Sequence, residues 1–111
     1  MKHERTAQTP FQEAREIGLA YLSRRARSAH EVAQRLRQEE FSEEVIVEVL
    51  SELKRRRFVD DRAYALRWIE ARIDKAVGAR KLAQDLRRKG IAVDVIDELL
   101  SEHSVQLENP D

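Results

Sequence analysis

The sequence predicts an all-α protein, built as a tandem repeat of two three-helix units that form an elongated, curved array. The first observation behind this prediction is composition. The 111 residues include only three glycines and two prolines, whereas 38% of them are charged and 41% are hydrophobic. Such a chain favours helices over a β-sandwich, a barrel or a disordered tail. The second observation is an internal repeat, which sets the order of the helices.

The repeat is visible when the sequence is shifted by 50 residues. Residues 28–52 then align without a gap with residues 78–102, and 11 of the 25 positions are identical. A single triplet of about 45 residues would bury too little apolar surface to be stable alone. We therefore expect each triplet to cover an apolar face of the other.

Residues 10–57 are predicted to form the first three-helix unit. Its first helix begins at Pro10, a residue favoured in the first turn, and is expected to run to about Arg25. Ser28 opens a capping box that starts the second helix. Ser42 caps the third helix, whose acidic first turn and basic last turn both complement the helix dipole.

Residues 58–103 are predicted to form the second unit in the same order. Asp60 is the N-cap of its first helix, and Gly78 opens the next. Gly90 suits the left-handed residue that ends that helix. The last helix is expected over about residues 93–103.

The two ends of the chain are expected to lie outside these units, as a flexible N-terminus over residues 1–9 and an acidic tail over residues 104–111. No apolar run approaches the roughly 20 residues of a membrane span. The N-terminus lacks the apolar stretch of a secretory signal, and there are no cysteines. The expected location is the cytoplasm.

Residue patterns for catalysis or cofactor binding are not found in the sequence. Glycines stand only at positions 18, 78 and 90, so neither a GxxxxGK loop nor a GxGxxG turn can be written. His30-Glu31 begins a zinc-helix pattern, but Gln34 stands where the second histidine is needed. We predict no enzyme activity, no cofactor and no metal.

Charge is strongly segregated although the net charge is zero. Residues 54–90 carry 13 basic and 5 acidic side chains, whereas residues 91–111 carry 6 acidic and no basic ones, with His counted as neutral. A basic middle segment indicates a surface that faces a polyanion or one that docks on an acidic protein. The charge pattern does not choose between these partners.

Two sets of basic residues are the candidate partner-binding residues. The first lies on the second helix of the second repeat, opposite an apolar stripe formed by Ala79, Leu82, Ala83 and Leu86. The alternative for both sets is an ordinary solvated surface. Five of the six aromatic residues are instead expected in the core or at helix junctions, namely Tyr21, Phe41, Phe58, Tyr64 and Trp68. The candidates are Arg80, Lys81, Arg87 and Arg88 in the first set, and Arg24, Arg25 and Arg27 in the second.

Three stretches of the chain resemble the RecX regulatory proteins. They are residues 22–36, the junction Phe58-Val59-Asp60-Asp61-Arg62-Ala63-Tyr64-Ala65, and residues 78–91, which read GxxxLxxxLxxKGI. The resemblance implies tandem three-helix repeats that dock on the filament of the RecA recombinase and modulate, usually inhibit, its activity. It also implies that some members bind nucleic acid.

Two departures from the RecX pattern accompany the resemblance. Typical members carry a third triplet, and a glycine often stands where this chain has Glu40 and Arg57. An alternative function, drawn from short helices with arginine-rich faces, is direct DNA binding of the helix-turn-helix type.

Overall fold

The computed structural model describes residues 8–73 and 77–103, and these ranges contain six helices. No strand occurs in the described ranges, so the predicted all-α class is confirmed. The expected flexible N-terminus, apart from residues 8 and 9, and the expected acidic tail lie outside them. None of the described helices is long and apolar enough to cross a membrane. The helices are α1 (Pro10–Leu22), α2 (Ala29–Gln38), α3 (Glu43–Arg55), α4 (Asp61–Ile73), α5 (Ala79–Arg88) and α6 (Val93–Glu102).

The helices fall into two units, residues 1–60 and residues 61–111. Each unit contains three helices and has its own cluster of buried apolar side chains. The first cluster is built around Leu36, Ile46 and Leu53. The second is built around Leu82, Leu86 and other side chains of α4, α5 and α6. The predicted pair of three-helix units is confirmed.

Helices α1 and α3 pack closely because α1 carries a glycine at the contact. A Cβ atom placed on Gly18 would lie 3.4 Å from Cδ1 of Leu53. Helix α1 ends at Leu22, earlier than the expected end near Arg25. The hydroxyl of Ser23 donates a hydrogen bond to the carbonyl oxygen of Ala20 at 2.6 Å, which competes with continued helix. Arg25 therefore lies in the connection to α2.

The N-termini of the helices differ between the two units. Thr9, Ser28 and Ser42 each accept a hydrogen bond on the side-chain oxygen from a backbone N–H of the first turn. The capping box predicted at Ser28 is confirmed. In the second unit α5 follows Gly78 and α6 follows Ala92, and neither of these residues supplies a side-chain cap.

Helices α2, α3 and α5 end in the same way, with a left-handed residue just beyond the C-cap. These residues are Glu40 (φ 70°), Arg57 (φ 66°) and Gly90 (φ 83°). The next N–H reaches back to a carbonyl five residues earlier, as in a Schellman motif. The distances from donor to acceptor are 3.2 Å for Phe41 to Leu36, 2.9 Å for Phe58 to Leu53 and 3.1 Å for Ile91 to Leu86. The chain thus keeps the loop geometry with two residues other than glycine.

We expect Glu40→Gly and Arg57→Gly each to raise the free energy of unfolding by about 1 kcal/mol, because glycine adopts positive φ without steric cost. Arg57 gives up only a 3.6 Å ion pair with Asp60, at a site where its own side chain is well exposed, and such pairs contribute little. Gly90→Ala should instead lower the free energy of unfolding. Urea unfolding of the three variants measures these changes in the free energy of unfolding. A loss of stability in both Glu40→Gly and Arg57→Gly would contradict the prediction.

Candidate functional site

Helix α5 carries two arginines that are available to a partner. Arg80 and Arg87 are exposed, and neither side chain has a hydrogen-bond or ion-pair partner among residues 8–73 and 77–103. They stand seven residues apart, which is about two helical turns or roughly 10 Å along the axis. Their guanidinium groups lie on one side of the helix and each offers several donors.

The other two candidates on α5 are already engaged. Lys81 Nζ lies 3.0 Å from Oδ1 of Asp85, and Arg88 Nη2 lies 2.6 Å from the same oxygen. Sequence reasoning grouped all four basic residues and missed Asp85. The signal was present, because a carboxylate four residues after a lysine and three before an arginine lies on their face of a helix.

The buried side of α5 agrees with the predicted stripe in three of four positions. Leu82 and Leu86 are fully buried and Ala83 is partly buried. Ala79, which was expected in the stripe, is exposed. It is the first residue of the helix and does not belong to the second cluster.

Two residues of the second candidate set, Arg24 and Arg27, lie beside Tyr21. The guanidinium carbon of Arg27 lies 3.9 Å from the centre of that ring, in cation–π geometry. The Nε of Arg27 is buried and has no hydrogen-bond partner in the described part of the chain. Arg24 lines a hollow of about 150 Å³ together with Tyr21 and Arg35. Arg25 is exposed.

Arg35 belongs to this group although the sequence did not indicate it. Its guanidinium lies 5.8 Å from the Tyr21 ring centre, and it also forms an ion pair of 3.1 Å with Glu39. The residue is 14 positions from Tyr21, on the next helix. Only the packing of α2 against α1 brings the two together.

An aromatic ring with cations around it recurs in the second unit. The guanidinium carbon of Arg72 lies 3.5 Å from the centre of the Trp68 ring, and Lys89 Nζ lies 5.1 Å from it. Trp68 also stacks on Tyr64, with ring centres 6.2 Å apart and planes inclined by 18°. The spacing of Trp68 and Arg72, one helical turn, could have indicated this contact.

The expected burial of the aromatic residues is correct only in part. Phe41 and Tyr64 are buried, whereas Tyr21 and Trp68 are partly exposed beneath their cations. Phe58 is 51% exposed. It follows the left-handed Arg57, and the turn directs Val59 rather than Phe58 into the first cluster.

Arg37 at the end of α2 and Glu43 at the start of α3 form an ion pair. Arg37 Nε donates to Glu43 Oε2 at 2.7 Å, and Nη2 donates to Oε1 at 3.0 Å. This two-point hydrogen bond lowers the pKa of Glu43 below its ordinary value and raises the pKa of Arg37. The pair ties the start of α3 to the end of α2.

The fold and these surfaces define a helical repeat protein that presents clustered basic side chains on each unit. No group of three or more His, Cys, Asp or Glu side chains that could hold a metal occurs in the described ranges. Residues 14–53 match the first three-helix domain of RecX, and residues 60–100 match the second. The chain belongs to the RecX family of regulatory proteins, as its motifs predicted.

Three curated relatives illustrate the similarity, and each is named regulatory protein RecX. The protein of Clostridium acetobutylicum is 36% identical over 96 residues, which are 86% of this chain and 44% of the relative. The protein of Haemophilus influenzae strain PittEE is 35% identical over 85 residues, 76% of this chain and 56% of the relative. The protein of Streptomyces coelicolor is 34% identical over 100 residues, 89% of this chain and 53% of the relative. The chain thus spans about half the length of these relatives.

Two crystal structures share the fold. RecX from Lactobacillus salivarius superposes with a TM-score of 0.84 at 23% identity, covering 89% of this chain and 65% of that one. A second structure, described as regulatory protein RecX, gives a TM-score of 0.79 at 29% identity, covering 87% of this chain and 49% of that one. Both support the six-helix architecture.

Proposed function

We propose that this chain modulates filaments of the RecA recombinase, as an inhibitor, by docking on the nucleoprotein filament without catalysing a reaction. The observation that carries the proposal is the match of both three-helix units to RecX domains. The names of the relatives support a regulatory role. The proposal places the chain in the bacterial cytoplasm, where such filaments form.

The contact surface in this proposal is led by Arg80 and Arg87 of α5. A nucleoprotein filament offers carboxylates and phosphates, and a guanidinium group binds either of them through two parallel hydrogen bonds. Neither arginine has to give up a partner within the described residues before it binds. Arg24, Arg25 and Arg27 form a second contact in this proposal, led by the exposed side chains of Arg24 and Arg25.

Direct DNA binding is the second candidate function. Helix α5 is short, and its exposed side carries Arg80 and Arg87. Helix-turn-helix proteins place the second helix of the motif in the major groove, and in this candidate function α5 is that helix, with α4 before it. Helix α6 is acidic and does not fit that place.

Salt dependence separates the two candidates. We would measure binding of the whole chain to naked duplex DNA and to RecA filaments over a range of salt concentrations, and in parallel the RecA ATPase and strand exchange. Binding to DNA phosphates weakens with a log–log slope of about −0.9 per contact, whereas docking on protein need not. We expect inhibition of the filament at salt concentrations that abolish binding to naked DNA. Tight, salt-sensitive binding to DNA with unchanged RecA activity would contradict the proposal and favour the second candidate.

A further inference from the structure

The exposed side of α3 borders an open groove that has an apolar floor. Phe11 at the start of α1 and Val47 of α3 form the floor, and Val47 is 62% exposed. The groove has a volume of about 610 Å³, and Glu48, Ser51 and Arg55 also line it. A second hollow of about 400 Å³ continues past Val47 between further acidic side chains of α3.

The acidic residues of this groove differ in whether their carboxylates have a basic partner. Glu52 accepts from Arg15 at 3.2 Å and lies 3.4 Å from Arg56. No described residue forms an ion pair or a hydrogen bond with the carboxylate of Glu48 or with that of Glu44 one turn before it. A carboxylate beside an exposed valine is therefore available to a cation from outside.

In the second repeat, an arginine of the same chain pairs with the acidic residues that correspond to those of the groove. The second residue of α1 is Phe11, and the second residue of α4 is Arg62. Arg62 lies 2.9 Å from Glu98 and 3.3 Å from Glu102. These acids are the repeat equivalents of Glu48 and Glu52, 50 residues on. The hydrogen bond that Arg62 donates to Glu98 raises the pKa of Arg62 above its ordinary value.

The first repeat thus retains the acidic residues but has phenylalanine at the helix position of the arginine. This position is matched by its place in the helix, because Phe11 and Arg62 are 51 residues apart whereas the acidic residues are 50 apart. Arg15, one turn further along α1, takes over Glu52, and Glu48 keeps no counterpart in the described part of the chain. We propose that the groove of the first repeat binds an arginine-bearing apolar segment of a protein partner, with its guanidinium on Glu48 and its apolar side chain on Phe11 and Val47. Arg55 at the same groove disfavours a segment with several cations in a row. This inference is independent of the proposed function, since it concerns a different face and does not require RecA.

The test uses the whole ¹⁵N-labelled chain and a small probe, the capped tetrapeptide acetyl-Leu-Arg-Ala-Leu-amide. Backbone amide shifts of Val47 and Glu48 are followed as the peptide is added. The comparison peptide carries citrulline, which has the shape of arginine without its charge. We expect saturable shifts at these amides and about fivefold weaker binding of the citrulline peptide, the effect of one partly exposed ion pair.

Two variants and one matched control sharpen the test. Glu48→Gln should weaken binding of the arginine peptide about fivefold, whereas Glu98→Gln, the same change in the second repeat, should not alter it. Phe11→Arg should block the groove by reproducing the contacts of Arg62, with helix content unchanged by circular dichroism. Equal binding of both peptides, or no saturable shift at millimolar peptide, would overturn the proposal. So would self-association of the chain that Phe11→Arg abolishes, because the occupant would then be a second copy.

Discussion

Replacing Arg80 and Arg87 together by glutamate is expected to weaken binding to the RecA filament about 100-fold and to leave the fold intact. Both side chains point away from the buried Leu82 and Leu86, so the second cluster is not touched. Each reversal replaces an attraction by a like-charge contact, and a loss of about 1.4 kcal/mol from each of these exposed side chains adds up to the 100-fold. Arg88 is left unchanged because it pairs with Asp85, and its reversal would mix binding with stability.

The control for this variant carries the same change of charge elsewhere. Lys54 and Arg67 are exposed and form no ion pair with another described residue, so Lys54→Glu with Arg67→Glu matches the change in net charge away from α5. Filament binding and strand-exchange inhibition are measured for both double variants, together with thermal unfolding. If the α5 variant inhibits RecA as strongly as the parent chain, that face is only solvated surface. Equal loss in both variants would indicate a net-charge effect without a site.

Leu86→Ala is expected to lower the free energy of unfolding by about 2–5 kcal/mol, because it leaves a cavity in the second cluster. Leu86 is fully buried. Leu36 has the same place in the first repeat, is equally buried, and its substitution by alanine should cost a similar amount. A cost below about 1 kcal/mol in either variant would contradict the packing described here.

The single tryptophan makes these variants more informative. Trp68 packs against the second cluster, so its fluorescence reports on the second unit, whereas circular dichroism reports on all six helices. The sequence predicts that the repeats stabilise each other. Leu36→Ala should then lower the urea midpoint seen by Trp68 fluorescence as well as that seen by circular dichroism. A fluorescence midpoint unchanged from the parent chain would show that the units unfold independently.

The helices could be predicted from the sequence because they rest on local signals. The serine at position 28 with a glutamate three residues later gives a capping box whatever the rest of the chain does. The 50-residue repeat places Glu40 in register with Gly90, and both have positive φ in the structure. The premature end of α1 could not be predicted in this way, because Ser23 can either continue a helix or bond back to it.

The candidate sites were predictable only where their partners lie on one helix. The exposed positions of Arg80 and Arg87 follow from helical periodicity, and the spacing of Lys81, Asp85 and Arg88 also contained their pairing. The approach of Arg35 to Tyr21 depends on how two helices pack, which no local pattern specifies. The groove at Phe11 likewise joins α1 to α3 across 36 residues of sequence.

The unequal capping of the helices has a consequence for where the chain opens first. A serine cap is worth about 0.5–2 kcal/mol over alanine and a few tenths over glycine. Helix α6 follows Ala92 and lacks the larger contribution, and α5 follows Gly78 and lacks the smaller one. We therefore expect the first turns of both helices to open at a lower free energy, and their amide hydrogens to exchange sooner, than those of the serine-capped helices. Arg80 is the second residue of α5. If a partner binds Arg80 as proposed, it would also restrain the first turn of α5. Binding would then stabilise this turn, and an ordered turn would in return favour binding.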